Sequence, residues 1–234
     1  MRKVSLCITT HNRTWMLMRS FDQLLDDDRV SEIVIVDDAS KIDVWNEICI
    51  DIGLLKNPKI KLFRNDKNLG CYRNKKRSVE LATNDNVIIA DSDNIFSKDY
   101  IDKLYQYGFW GETVAYAPDF AKPNFDYRAY DGVLISKQNV HLLIGKPGVD
   151  ALLNTMNYFV NRDAYLKAWK DDIEPHAIDS VYHNYNWLVS GGLILVVKGL
   201  EYIHNIHDGS LYKQVGGKTH ALAREINSKL KMLR

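Results

Sequence analysis

Four short apolar runs punctuate the first part of the chain: VSLCITT at 4–10, EIVIVD at 32–37, KIKLF at 59–63 and NVIIAD at 86–91. EIVIVD and NVIIAD carry no polar residue in their interiors. Uninterrupted runs of this length belong to strands covered on both faces. Between the runs lie segments with helical spacing. Trp15, Met18, Phe21 and Leu25 fall on one face, as do Val44, Ile48, Ile52 and Leu55 within 42–55. Residues 71–83, CYRNKKRSVELAT, read as a basic helix, and Ser97 stands where it would cap a helix running to Tyr107. Strand and helix in alternation give βαβ units, hence an α/β fold with a mostly parallel sheet flanked by helices.

The second half is less regular. Residues 112–117 and 132–136 read as strands, joined by a loop holding Phe120, Phe125, Tyr127 and Tyr130. Residues 154–160 read as extended, 161–169 and 177–189 as helical, and LILVV (193–197) as a further strand. GSLYKQVGGK reads as turn-like. In the final helix, 219–233, Leu222, Ile226, Leu230 and Leu233 make an apolar stripe, while Lys218, Arg224, Lys229, Lys231 and Arg234 make the remainder basic. Two readings of it stay open: a helix docked on its own domain, or a peripheral foot on an anionic membrane through 219–234.

The chain has 234 residues, 46% hydrophobic and 26% charged, which suits a single domain with an ordinary core. A net charge of +1 gives no reason to expect nucleic acid as a partner. Cys7, Cys49 and Cys71 are scattered and form no C-x-x-C pair, so neither a disulfide framework nor a zinc knuckle is expected, and a cytoplasmic location is. MRK leads straight into the first strand without the pattern of a signal peptide, and no window reads as a transmembrane span.

In open parallel sheets ligands bind beyond the carboxyl ends of the strands. Here those ends carry Thr10-His11-Asn12-Arg13, Asp37-Asp38, Arg64-Asn65 and Asp91-Ser92-Asp93, and all four clusters should meet on one edge. Asp91 and Asp93 have the hard oxygen ligands that suit Mg²⁺ or Mn²⁺ beside a diphosphate, or else form a solvated turn with Asn94. Asp37 closes its strand. Asp38 either accepts from a ligand ring N–H or caps the helix near 42, with Ser40 as competitor. Arg73, Lys75 and Lys76 follow Gly70 and face either phosphates or water.

VSLCITTHNR, EIVIVDDAS, NLGCYRN and NVIIADSD, in this order and spacing across about the first hundred residues, resemble the nucleotide-sugar half of a GT-A glycosyltransferase of the family 2 type. Downstream the likeness is looser: NYFVNRDAYLKAW, the 177–189 helix and HNIHDGS. The resemblance implies a GT-A fold in one domain: 1–100 for the nucleotide-sugar, 101–217 for acceptor and catalysis, and 218–234 as the terminal helix. It sets Thr10, His11 and Arg13 beside uracil and diphosphate, Asp38 on the base, Arg73 in the place of the arginine of an A-R-N motif (with Tyr72 for its alanine), and Asp91, Ser92 and Asp93 in the D-x-D. The first carboxylate of that motif faces the ribose and the last binds the metal. The family's base sits in an E-D pair. Here Ile178-Asp179 is the best match, so Asp179 is the expected base, with Glu174 and Asp172 as rivals. A late histidine completes the metal shell; His207 fits better than His204. His176 and His183 lack zinc-site spacing, and Trp110, Trp169 and Trp187 are expected in the core rather than stacked on sugars.

The resulting expectation is a metal-dependent, inverting glycosyltransferase moving a sugar from a nucleotide-sugar, UDP-sugar favoured, to a glycan or lipid-linked hydroxyl. Three alternatives stand beside it: an inactive nucleotide- or carbohydrate-binding module, a sugar-nucleotide nucleotidyltransferase, and a glycosyltransferase acting on a DNA base or a protein. THNRTW lacks the glycines a nucleotidyltransferase loop would want.

Overall fold

The computed structural model describes residues 2–154, 157–172, 179–207 and 211–233, with backbone alone for Asp179 and 211–220. The elements run β1 (Val4–Thr10), β2 (Val30–Asp37), α1 (Ile42–Leu55), β3 (Ile60–Arg64), α2 (Gly70–Leu81), β4 (Asn86–Asp91), β5 (Asn94–Ile95) and α3 (Lys98–Gln106). They continue with β6 (Val114–Lys122), β7 (Phe125–Asp126), β8 (Leu134–Ile135), α4 (Val149–Leu152), β9 (Phe159–Asn161), α5 (Arg162–Ala168), α6 (Asp179–Val189), β10 (Leu193–His204) and α7 (Leu211–Met232).

One sheet joins them in the order β3-β2-β1-β4-β9-β6-β10-β5, with β7 beside β6 and β8 beside β10. β3, β2, β1 and β4 are parallel neighbours, β9 runs antiparallel to both β4 and β6, and β6 and β10 are parallel. The carboxyl ends of β6 and β10 therefore lie on the same edge as those of β1 to β4. Leu6, Ile8, Val34, Ile35, Ile88 and Ala90 are fully buried, which is why these strands read as apolar runs. Gly192 sits against the indole of Trp187: a Cβ there would come within 2.4 Å of the ring.

Four segments differ from their sequence patterns, and one of them is β6, which runs on from 117 to Lys122 through Phe120, a residue that reads as part of a loop. Residues 11–28 hold two short 3₁₀ turns, Met18–Ser20 and Asp22–Leu24, in place of a helix. Leu17, Phe21 and Leu24 point inward while Trp15 is 66% exposed. The Ser20 carbonyl accepts from the Phe96 N–H (3.2 Å), so a tertiary bond takes a group that a helix would have used. β10 is longer than 193–197 because its neighbours β6 and β5 carry it past a register shift at Gly199 (φ 74°). α7 already begins at Leu211, through residues that read as a turn. Its stripe packs inward, with Ile226 1% and Leu230 0% exposed, and α7 lies against α6. Among the described residues no helix is long and apolar enough to cross a membrane.

Asp119 on β6 is buried, and its Oδ2 accepts from the Gly199 N–H at 2.6 Å. Burial, offset in part by that bond and reinforced by the neighbouring carboxyl groups of Asp131 and Glu201, pushes its pKa up to about 6. A raised carboxyl contributes stability below the ordinary value, and loses it as pH rises through about 6. Asp119→Asn keeps the acceptor and removes the charge. It should raise stability at pH 7 by about 1–3 kcal/mol and not at pH 3.5, in denaturant titrations at both pH values.

Candidate active site

The strand register assembles the polar edge. Thr10 lies opposite Asp37, Asp37 opposite Arg64, and Thr9 opposite Asp91, so the four clusters meet as the parallel pattern requires. Asn12 (φ 52°) and Ala39 (φ 55°) take left-handed backbone in the two adjoining loops. Such strain in a non-glycine residue costs about 1–3 kcal/mol and gathers at functional edges.

The loop after β1 is pinned at several points. Thr10 Oγ1 donates to the Arg13 carbonyl (3.2 Å), and the His11 ring is held by the Asp38 carbonyl at 2.8 Å from Nδ1. Asp37 closes β2 by accepting from the Ser40 N–H (3.0 Å) and hydroxyl. Asp38 is 3% exposed and accepts from Asn65 Nδ2 (2.8 Å), the Leu69 N–H (2.8 Å) and the Gly70 N–H (2.9 Å). It therefore braces the turn that opens α2, where Gly70 supplies the φ of 81° that a side chain would resist. A carboxylate offers about four acceptor positions, and the two on Oδ1 are taken, so one remains on Oδ2.

The D-x-D splits into two environments. Asp91 Oδ1 pairs with Lys75 Nζ at 3.1 Å. Asp93 Oδ2 receives Arg13 Nη1 at 2.7 Å and stands 3.1 Å from His207 Nε2, while Asn205 Nδ2 donates to its backbone carbonyl at 2.6 Å. Between them, the buried Ser92 sends its N–H to the Thr9 carbonyl (3.1 Å), and its hydroxyl has no partner among the described residues. His207 arrives because β10 ends antiparallel to β5, with His204 opposite Asn94, and the chain then turns back over Asp93.

Arg73 pairs instead with Asp171 (2.7 Å), and both are substantially exposed. Asp172 accepts from the Tyr182 hydroxyl. Glu174 and His176 lie outside the described residues, as does the side chain of Asp179; its backbone opens α6. His183 is buried against Tyr165, ring centroids 4.1 Å apart, and Trp110, Trp169 and Trp187 are in the core.

Two groups at this edge take places that the sequence left open, in the case of Lys75, or unmarked, in the case of Asn205. Lys75 is only 5% exposed, whereas its neighbour Lys76 pairs with Glu80 in solvent, so one of the two belongs to the interior. Nothing in the local pattern marks Asn205, because only the extended β10 brings it to Asp93. Among the described residues no three of His, Cys, Asp and Glu are gathered to hold a metal. Asp93 Oδ2 and His207 Nε2 do form a two-donor pair of the oxygen and imidazole types that Mn²⁺ accepts.

A mixed, mostly parallel α/β sheet with a D-x-D at its carboxyl edge defines the GT-A class. The model of the family described as glycosyl transferase family 2 matches residues 5–170, and the chain belongs to that family. A search of curated proteins finds no match. Solved structures that share the fold include the following three. Staphylococcus aureus TarS 1-349, in complex with UDP-GlcNAc, superposes with a TM-score of 0.73 at 12% identity, over 96% of this chain and 65% of that one. The mannosyltransferase PcManGT from Pyrobaculum calidifontis, in complex with GDP-Man and Mn²⁺, gives 0.68 at 13% identity, over 92% and 60%. GalNAc-T7 with UDP, GalNAc and Mn²⁺ gives 0.67 at 18% identity, over 87% and 44%. This chain spans less than two thirds of each of them.

Proposed function

We propose that the protein transfers a sugar, with inversion, from a nucleotide-sugar, preferentially a UDP-sugar, to a hydroxyl acceptor on a glycan or lipid-linked saccharide. The observation that carries this is the meeting of Arg13, Asp93 and His207 on one carboxylate oxygen, beside Asp91, at the ligand-binding edge of the sheet. Asp93 and His207 would hold a Mn²⁺ or Mg²⁺ ion whose remaining ligands come from diphosphate and water. When bound, the ion supplies charge relief for the departing diphosphate. Arg13, whose guanidinium already lies on Asp93, adds a fixed cation for the phosphates. The open acceptor position on Asp38 suits the single ring N–H of uracil, beside His11 and Thr10, and the partly exposed Asp91 suits the ribose; the Ser92 hydroxyl, buried and without a partner among the described residues, would reach the ribose only after a local shift. Arg73 would serve phosphate only after leaving Asp171. A contact with anionic membrane would rest on exposed Arg224 and Lys231, since the apolar stripe of α7 is turned inward.

Thermal shifts with UDP-, GDP- and dTDP-sugars, with and without Mn²⁺, test the donor. A UDP-sugar with Mn²⁺ at 100 times its Kd should add about 2.7 kcal/mol of stability. A larger response to GDP-sugars overturns the base preference, and no response to any of them overturns the reading.

The base assignment rests on the resemblance of Ile178-Asp179 to the E-D pair of the family, beyond the residues 5–170 that the family model matches; Asp179 is the first residue of α6. Asp179→Asn should cut kcat by at least about 10²-fold with donor affinity nearly unchanged. If Glu174→Gln does this and Asp179→Asn does not, Glu174 is the base.

A further inference from the structure

The β6–β7 hairpin and the end of β10 build an aromatic shelf beside Asp93. Phe125 lies opposite Ala121, and Ala121 opposite Tyr202, so these three share one face of the sheet. His204, two residues beyond Tyr202, lies on that face too. The other face is charged: Lys122 pairs with Glu201, and the Arg128 guanidinium lies 4.6 Å over the Phe120 ring.

On the aromatic face Phe125 is 36% exposed. Its ring meets His204 edge-on at 5.1 Å and lies parallel to Tyr127 at 6.5 Å. Asn124 Nδ2 donates to the His204 carbonyl (2.7 Å) and stands 3.1 Å from Nδ1. The carbonyl contact fixes the amide nitrogen on that side, so Nδ1 accepts and the proton of the neutral ring sits on Nε2. Burial holds the His204 pKa below its ordinary value although Asp93 and Asp91 pull it up. Nε2–H has no partner among the described residues. Directly after His204, Asn205 and His207 both touch Asp93.

We propose that this shelf seats the acceptor as a saccharide, one pyranose ring lying on Phe125 and accepting a hydrogen bond from His204 Nε2–H. The inference rests on the glycosyl-transfer reading. A pyranose offers both a C–H face for the ring and hydroxyl oxygens for the donor. Among the described residues a phosphate would find no cation on this face, because Lys122 and Arg128 are on the other side and paired. A lipid tail would leave the Nε2–H unused.

The test is ligand-observed NMR with UDP present, using the methyl glycosides of glucose, galactose, mannose, N-acetylglucosamine and N-acetylgalactosamine. At least one should bind the wild type. Phe125→Ala should weaken it about tenfold, Phe125→Trp should retain it, and His204→Phe, which keeps a ring and loses the donor, should weaken it as well. The thermal shift caused by UDP should be the same in Phe125→Ala as in the wild type. Binding of no glycoside, or equal binding to Phe125→Ala, overturns the shelf. A wild type that responds to UDP while its glycoside binding ignores Phe125 loses the shelf and keeps the donor reading; a wild type indifferent to UDP loses the donor reading.

Discussion

Asp93→Asn should lower glycosyl transfer by about 10³-fold while leaving the fold in place, the scale expected when a several-kcal/mol charge-stabilising contact is lost. The substitution keeps an oxygen for Arg13 and leaves the backbone carbonyl that Asn205 holds. It removes the charge that lets one oxygen face both a guanidinium and an imidazole. The measurement is steady-state transfer with and without EDTA, next to a melting curve. Full activity in the variant, or wild-type activity that ignores EDTA, removes the metal from the mechanism. A matching loss in Arg13→Gln, which removes the guanidinium charge on Asp93, together with wild-type activity that ignores EDTA, would mean that this cation, and not the ion, carries the charge relief.

Glu32→Ala should cost about 3 kcal/mol of stability, or about 6–12 °C in Tm, without touching the active edge. Glu32 lies at the opposite, amino-terminal end of the sheet and is 2% exposed. It accepts from Ser5 Oγ (2.6 Å), the Thr83 N–H (2.8 Å), Thr83 Oγ1 (3.1 Å) and Lys61. Alanine leaves the fully buried Ser5 and the Thr83 amide without that acceptor. Burial alone would raise the carboxyl, but Lys61, Ser5 and Thr83 together bring it below its ordinary value. Its contribution is therefore present above the ordinary glutamate range and fades as pH falls through the lowered value. The difference between wild type and variant in denaturant titrations should shrink from pH 7 to pH 3. A constant difference would mean that packing, not charge, dominates at this position.

The parallel half was legible because its strands are covered on both faces, and such strands announce themselves as apolar runs. Their ends were legible for the same reason: a run that stops at Thr10, Asp37 or Asp91 stops where the sheet stops. α1 appears at the bounds its spacing gives, Ile42–Leu55, since one helix face meets one sheet face. The stretch around Trp15 and Phe21 was not legible. Its apolar residues satisfy a helical period, yet the Phe96 N–H captures the Ser20 carbonyl from a distant part of the chain.

The sequence by itself determined the α/β class, the four strands of the parallel half and the meeting of their polar ends, because these follow from period and from which residues interrupt it, while their order in the sheet, β3-β2-β1-β4, came from the tertiary structure. Only the tertiary structure decided which polar groups face one another. Lys75 and Lys76 are adjacent and alike, yet one turns inward to Asp91 and the other outward to Glu80. Two histidines three residues apart divide as well: His207 turns to Asp93, while Asn124 holds His204 on the aromatic shelf. That division depends on β10 running past Gly199 to pair with β5, a contact between segments about a hundred residues apart that no local pattern encodes.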